Sequence, residues 1–311
     1  MISLHPFLLC LCLFAFPGLH APLDKRDTVT WGERSGVNVY QVTLGSNPRA
    51  KEVTSAFGGM DEVHFTPDHQ WALALRSLEA TGRKLAPLVL FHQDQKGKYR
   101  LVKLSENPVF GKIKRPFYLQ TFDWSQEHQT LVGIDRAGDL RSYSLKTGVT
   151  KQLRSHKKMG EILSITLSPD AKTVAFVVAS LHYGMEPDEE DANMHTIFLL
   201  NIEKKTVTKL GYGETPDWSP DGKRILCRVN SGTSLREYRL VDKTFKEWIE
   251  RRLEDIGFAR YIEGGKSALY FDMDLSPGRF RLFRIDLKTG VKKPLSFRDK
   301  IVFTSSGFWS D

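Results

Sequence analysis

One pattern recurs along the 311 residues of this chain: a short β-rich run, a polar turn carrying Pro-Asp or a relative, and a second β-rich run. The first copy is Val63-His64-Phe65-Thr66-Pro67-Asp68, followed by a run at 71–75, and the second is Phe122-Asp123-Trp124-Ser125-Gln126-Glu127, followed by 130–134. A third reads Ile165-Thr166-Leu167-Ser168-Pro169-Asp170 before 173–178. The sharpest is Pro216-Asp217-Trp218-Ser219-Pro220-Asp221-Gly222-Lys223-Arg224 before 225–229, and a degenerate fifth copy spans 259–266 before 268–271. The turns at Asp68, Glu127, Asp170, Asp221 and Gly265 lie about 43 to 59 residues apart, the spacing of a propeller blade rather than of a helical solenoid.

After each pair comes a third β-rich run, a turn, and a shorter fourth run, so each repeat holds four strands. Two of these later turns are Lys146-Thr147-Gly148 and Lys288-Thr289-Gly290, where glycine suits the positive φ of a tight hairpin. Five repeats leave two orphans: three N-terminal runs at 28–31, 37–44 and 51–54, and a C-terminal Phe308-Trp309-Ser310-Asp311 that begins a repeat and stops. Summed as one blade, they predict an all-β, six-bladed β-propeller of four-stranded antiparallel blades. The ring would be closed by the C-terminal strand pairing with the N-terminal strands, leaving no open sheet edge at the join.

The stretch 216–225, with its weaker copies over 27–311, resembles the repeat of the TolB-type propeller family. The resemblance implies WD40-like blades and is poor for function, because such blades occur in envelope adaptors, in peptidase-associated domains and in some lyases. TolB itself carries an α/β domain ahead of its propeller, and the expectation here is a propeller without one.

Residues 1–21 contain no Asp, Glu, Lys or Arg, and an apolar run at 7–16 is followed by Pro17, Gly18 and Ala21. This reads as a signal peptide removed near Ala21. About ten apolar residues reach ~15 Å as a helix, half of the hydrocarbon thickness, so no membrane span is expected in the mature chain. The expected organisation is a signal at 1–21 and one propeller domain at 22–311, secreted, and periplasmic if the source is Gram-negative. Of three cysteines only Cys227 then remains, so no disulfide forms within the chain and the fold is held by its core. The run 225–229 alternates Ile225, Cys227 and Val229 on one face, which makes Cys227 a packed thiol. With 45 Lys and Arg against 37 Asp and Glu, the net charge of +8 is too dilute for a nucleic-acid binder.

No Gly-x-Ser-x-Gly elbow and no His-Glu-x-x-His occurs, and Gly211-Tyr212-Gly213 lacks the third glycine of a dinucleotide fingerprint. Hydrolase, metalloprotease and dinucleotide chemistry therefore have no motif here, and no cofactor is called for. Asp68, Asp170, Asp221 and Asp311 share one repeat position, where Asp hydrogen-bonds nearby backbone N–H groups. Trp124, Trp218 and Trp309 follow the same repeat and are expected between blades.

What breaks the repeat is more informative. The link at 179–195 between the second and third strands of one blade carries His182, Tyr183, Asp188, Glu189, Glu190, Asp191 and His195. The connection at 105–118 has the opposite sign and carries Phe110, Lys112, Lys114, Arg115, Phe117 and Tyr118. In a propeller both emerge on one face, and loops on a rigid frame are where such folds place recognition. The leading expectation is a monomeric, non-enzymatic scaffold that binds a protein or peptide of the cell envelope at this face. The alternative is a lyase-like metal enzyme or small-ligand binder at the channel mouth. It would draw a divalent metal to His182, His195, Asp188 and Asp191, or to others among the histidines His64, His69, His92, His128 and His156. A purely structural envelope module is a third reading.

Overall fold

The computed structural model describes residues 28–31, 40–43, 49–52, 60–65, 70–76, 86–96, 98–104, 118–155, 157, 160–179, 195–229, 232–249, 256–273 and 280–295. The proposed signal, Cys10 and Cys12 lie outside them. Three short strands, β1 (Thr28–Trp31), β2 (Tyr40–Thr43) and β3 (Arg49–Glu52), form a sheet of their own. Blade 1 comprises β4 (Met60–Phe65), β5 (Trp71–Arg76), β6 (Ala86–Gln93) and β7 (Tyr99–Val102). Blade 2 comprises β8 (Tyr118–Ser125), β9 (Thr130–Asp135), β10 (Leu140–Ser144) and β11 (Thr150–Arg154). Blade 3 comprises β12 (Ile162–Leu167), β13 (Thr173–Val178), β14 (Thr196–Asn201) and β15 (Val207–Tyr212). Blade 4 comprises β16 (Glu214–Trp218), β17 (Arg224–Val229), β18 (Ser234–Arg239) and β19 (Thr244–Ile249). Blade 5 comprises β20 (Ile256–Ile262), β21 (Ser267–Met273), β22 (Phe280–Asp286) and β23 (Lys292–Pro294).

The fold is an all-β propeller of four-stranded antiparallel blades, but the blades number five, not six. The count of six came from adding the N-terminal runs to 308–311. In the structure β1, β2 and β3 pair in simple order, and no fourth strand joins them among the described residues, so they do not make a blade. The C-terminal closing strand falls outside the described residues. β1 lies alongside β4.

Each blade is a meander of antiparallel neighbours, and its strand 1–2 and 3–4 connections are short turns. The Lys-Thr-Gly turns show the local logic. Gly148 (φ 74°) and Gly290 (φ 75°) close their hairpins by donating to Ser144 and Asp286 carbonyls at 2.8 and 2.7 Å. The Ser-Pro-Asp turns are duplicates of one another. Asp170 Oδ1 accepts from the Ser168 hydroxyl (2.6 Å) and from Lys172 N–H (3.1 Å). Asp221 Oδ1 does the same with Ser219 (2.5 Å) and Lys223 (3.1 Å). Each serine hydroxyl in turn accepts the N–H that opens the next strand, Thr173 or Arg224, at 2.9 Å.

Among the described residues, apolar clusters fill the four boundaries between consecutive blades. Leu73, Leu75, Leu88 and Leu90 of blade 1 meet Phe122, Trp124 and Leu131 of blade 2, and Ile134 and Leu153 of blade 2 meet Ile165 and Phe176 of blade 3. Ala175, Val177 and Ile197 of blade 3 meet Trp218 and Cys227 of blade 4, and Leu226 and Ile249 of blade 4 meet Tyr261 and Tyr270 of blade 5. Trp124 and Trp218 are thus packing residues between blades, 4% and 2% exposed; Trp309 lies outside the described residues.

Across these seams run polar ties. The Asp of Asp123-Trp124 accepts, through Oδ2, the N–H of Leu167 (2.8 Å) and the hydroxyl of Thr166 (3.2 Å) on the first strand of blade 3. Asp217 of Asp217-Trp218 accepts the N–H of Tyr261 (2.8 Å) on the first strand of blade 5, and the Trp218 indole donates back to the Thr166 carbonyl (3.3 Å). At the same seam, Glu237 is 4% exposed. It accepts from Arg224 Nη1 (2.9 Å), the Tyr261 hydroxyl (2.7 Å) and the Trp248 indole (3.2 Å). Blades 1 and 2 are joined by backbone as well, since Ala86 and Pro87 at the start of β6 pair with Leu119 and Tyr118 of β8.

Removing a buried acceptor strands its donors. Asp217→Ala is expected to lower unfolding free energy by about 1–3 kcal/mol, the penalty of a buried unbonded N–H. Glu237→Ala, which leaves a guanidinium without its carboxylate, is expected to lower it by about 3–5 kcal/mol. Urea unfolding checks both, and losses below about 0.5 kcal/mol in each would show the seam to be held by apolar contact alone.

Candidate functional site

The first strands of blades 2 to 5, β8, β12, β16 and β20, stand beside one another in chain order. The strand 1–2 and 3–4 turns are tight and share one face. The strand ends that lead into the strand 2–3 and blade-to-blade connections share the other, and it is there that the chain leaves the described strands for 77–85, 105–117, 180–194, 250–255 and 274–279.

Of the candidate binding residues, the structure places two. Tyr118 is the first residue of β8, 36% exposed, rather than the end of a loop. His195 precedes β14 and is half-buried. His182, Tyr183, Asp188, Glu189, Glu190, Asp191, Phe110, Lys112, Lys114, Arg115 and Phe117 lie outside the described residues, as do Asp68 and Asp311. Asp170 and Asp221 occupy opposite-face turns in separate blades and do not converge.

His195 belongs to a cluster that links three blades. Its Nδ1 lies 3.0 Å from Glu214 Oε1, while Arg228 Nη2 donates to Glu214 Oε2 at 2.7 Å. Arg228 Nη1 donates to the Ile256 carbonyl at 2.8 Å, at the start of blade 5. The imidazole comes from blade 3, the carboxylate from the first strand of blade 4 and the guanidinium from the next strand. Local backbone is strained at this point. The ladder slips between Glu214 and Asp217, and Thr215 inside the bulge has φ 45°, which a β-branched residue adopts only under constraint. The Thr215 hydroxyl is buried with no hydrogen-bond partner among the described residues. Bulges and strain of this kind collect at sites where a strand must re-aim a side chain.

Burial pushes the Glu214 carboxyl up, but the hydrogen bond from His195 and the charge of Arg228 outweigh it and hold the group below its ordinary value of 4.5. A carboxylate held ionised is a poor proton shuttle near neutrality and a good fixed acceptor. The cluster is therefore a fixed set of charged donors and acceptors that orient one another. Among the described residues no three His, Cys, Asp or Glu side chains come together as a metal-ion site. His64 packs on Phe122 (4.5 Å) beside Asp123, and His92 packs on Trp71 (4.2 Å), each in a different place. Cys227 is fully buried, and burial pushes its thiol up, away from nucleophilic use.

Glu214 and Arg228 escaped the sequence reading. The available signal was a charged Arg228 between Cys227 and Val229, at the end of a strand whose middle is apolar on both faces. The glycines of Gly211-Tyr212-Gly213, read only as a failed fingerprint, have a packing role. A Cβ on Gly211 would sit 2.3 Å from the Tyr238 hydroxyl, and one on Gly213 2.7 Å from Cys227 Sγ.

A folded-state carboxyl held low contributes stability that is complete above 4.5 and is lost as pH falls through the lowered value. Glu214→Gln is thus expected to flatten the acid limb of the stability–pH curve below 4.5 and to lower stability at neutral pH. An unchanged acid limb would deny the pairing any energetic weight. Cys227 is expected to resist iodoacetamide until the protein unfolds, with labelling tracking the urea transition.

By sequence, no family model and no curated protein matches the chain. By structure, it is similar to a chain in the crystal structure of the nidogen/laminin complex, with a TM-score of 0.60 at 9% identity, over 90% of this chain and 96% of that one. It also overlaps TolB from Acinetobacter baumannii at a TM-score of 0.42 and 18% identity, over 71% of this chain and 59% of that one. The first likeness and the blade topology agree on the fold: the chain is a β-propeller.

Proposed function

We propose that the protein is a non-enzymatic scaffold that binds a protein or peptide partner at the loop-rich face of its propeller. The observation that carries this reading is the division of the molecule. Duplicated turns and cross-blade hydrogen bonds make a rigid frame, while the strand ends that lead into the longest connections of the sequence share one face with the strained His195–Glu214–Arg228 cluster. Rigid elements presenting irregular loops are the usual design of a binding surface. The nidogen/laminin complex gives an instance of a similar fold in a protein–protein assembly.

The finer reading rests on sequence. The repeat at 216–225 supports blades of TolB type, and the uncharged, apolar N-terminus supports secretion, with the periplasm as destination in a Gram-negative source and an envelope protein as partner. The test is a crosslinked pull-down from intact cells with the tagged protein, alongside a variant lacking 184–192 and the Tyr118→Ala variant. A specific partner lost from the deletion and weakened by Tyr118→Ala is the expected outcome. Undiminished capture by both would move the binding surface off this face.

A further inference from the structure

The rim of the propeller carries a second feature, away from the loop-rich face. A groove of about 510 Å³ runs along the outer strand of blade 2 and is lined by Lys151, Gln152, Leu153, Arg154 and Ser155, with Lys205 from the β14–β15 turn of blade 3. No acid lines it. The carboxylate that reaches the groove's Gln152 is already engaged: Asp139 Oδ2 accepts from Gln152 Nε2 at 2.7 Å and lies 3.9 Å from Arg141 Nη2. Arg154 Nε is buried and has no hydrogen-bond partner among the described residues. Lys151 and Lys205 are exposed, as is the neighbouring Lys204.

Cations on an edge strand have a simpler use, since they discourage edge-to-edge aggregation. Other cations near blade rims fit that use or have local partners. Arg100 pairs with Asp94 at 3.0 Å, Arg239 with Asp242 at 3.5 Å and Arg236 with Glu247 at 2.5 Å. Lys209 and Lys246 sit over Tyr212 and Trp248, at 4.5 and 3.4 Å. At blade 2 a guanidinium is instead recessed beside a groove with one N–H unspent, and two lysines from different blades flank it. That is an arrangement for receiving carboxylate, because arginine and lysine together offer charge-assisted donors from several directions.

The geometry also offers more than a point charge. β11 ends its sheet, and no described strand pairs with its outer edge. The groove follows Lys151 to Arg154, ~13 Å of strand at the usual rise, and a bulge at Leu153 keeps Lys151 and Arg154 on one face of β11. An extended segment laid along it would complete the ladder with main-chain hydrogen bonds and set alternate side chains against Lys151, Arg154 and Lys205. We infer that the outer edge of β11, with Arg154, Lys151 and Lys205, is a docking groove for an extended acidic peptide segment of a partner, bound by strand addition. This surface is separate from the loop-rich face.

The probe is a display library of random eight-residue peptides, selected against the full chain and against a Lys151→Glu/Lys205→Glu variant whose fold is verified by circular dichroism and urea midpoint. Selection on the wild type is expected to enrich peptides with Asp or Glu at alternating positions. The leading peptide, made synthetically, should bind at least ten-fold more weakly to the double variant and to Arg154→Gln. It should also slow hydrogen exchange at 150–154, and lose binding when its alternate amides are N-methylated. The inference is overturned if enriched peptides are no more acidic than the input, or if they bind the double variant equally. It is also overturned if the N-methylated peptide binds as well as its parent and inorganic phosphate displaces both, which would mark a free-anion site. Because the residues probed here, Lys151, Arg154 and Lys205, are none of those removed or replaced in the pull-down, failure here leaves the pull-down result standing, and the reverse holds too.

Discussion

A β-propeller has no continuous sheet to hold it together, so everything depends on what crosses the seams between blades. Here the tie is a carboxylate on the first strand of one blade that accepts a backbone N–H from the first strand of another: Asp123 to Leu167, and Asp217 to Tyr261, each spanning 44 residues. A carboxylate accepting a buried N–H is a charge-assisted bond, stronger than its neutral counterpart and sensitive to a shift of a fraction of an ångström. Apolar packing around Trp124 and Trp218 supplies the bulk of the attraction and is tolerant of sliding. The directional bond converts that contact into a fixed register. Glu237, satisfied by three donors, repeats the principle deeper in the seam between blades 4 and 5.

That frame explains why the candidate site can hold strain. Thr215 at φ 45° would relax if β16 were free to shift, but Trp218 is wedged against blade 3 and Asp217 is bonded to blade 5, three and two residues away. The bulge instead turns Glu214 towards His195 of blade 3 and Arg228 of its own blade. The same frame gives the rim its grooves. Where the outer strand of one blade meets the last hairpin of the next, Lys205 is brought beside Lys151 and Arg154, residues about fifty positions apart in the chain.

The repeat made the blades legible. Its polar turns placed the strands of all five blades within a few residues, and the periodic Trp positions identified the packing residues between them. The number of blades was not legible at the N-terminus, because strand-like runs say that strands form but not what they pair with. β1, β2 and β3 hydrogen-bond to one another, a choice made by proximity in space. Asp123 and Asp217 were visible as members of the repeat, yet their acceptance of N–H groups on another blade was invisible, since the acceptor's partner is 44 residues distant and carries no side-chain signature at all.

Sequence alone therefore determined the strand pattern, the turn chemistry of Ser168-Pro169-Asp170 and Ser219-Pro220-Asp221, and the burial of Cys227, because these arise from contacts within a few residues or from two-residue alternation. The tertiary structure decided the blade count, the carboxylate ties, the assembly of His195, Glu214 and Arg228, and the cationic groove at blade 2. Each of these joins side chains or backbone from different strands or blades, and the free energy that selects such pairings comes from burial and directional bonds formed only once the blades have packed.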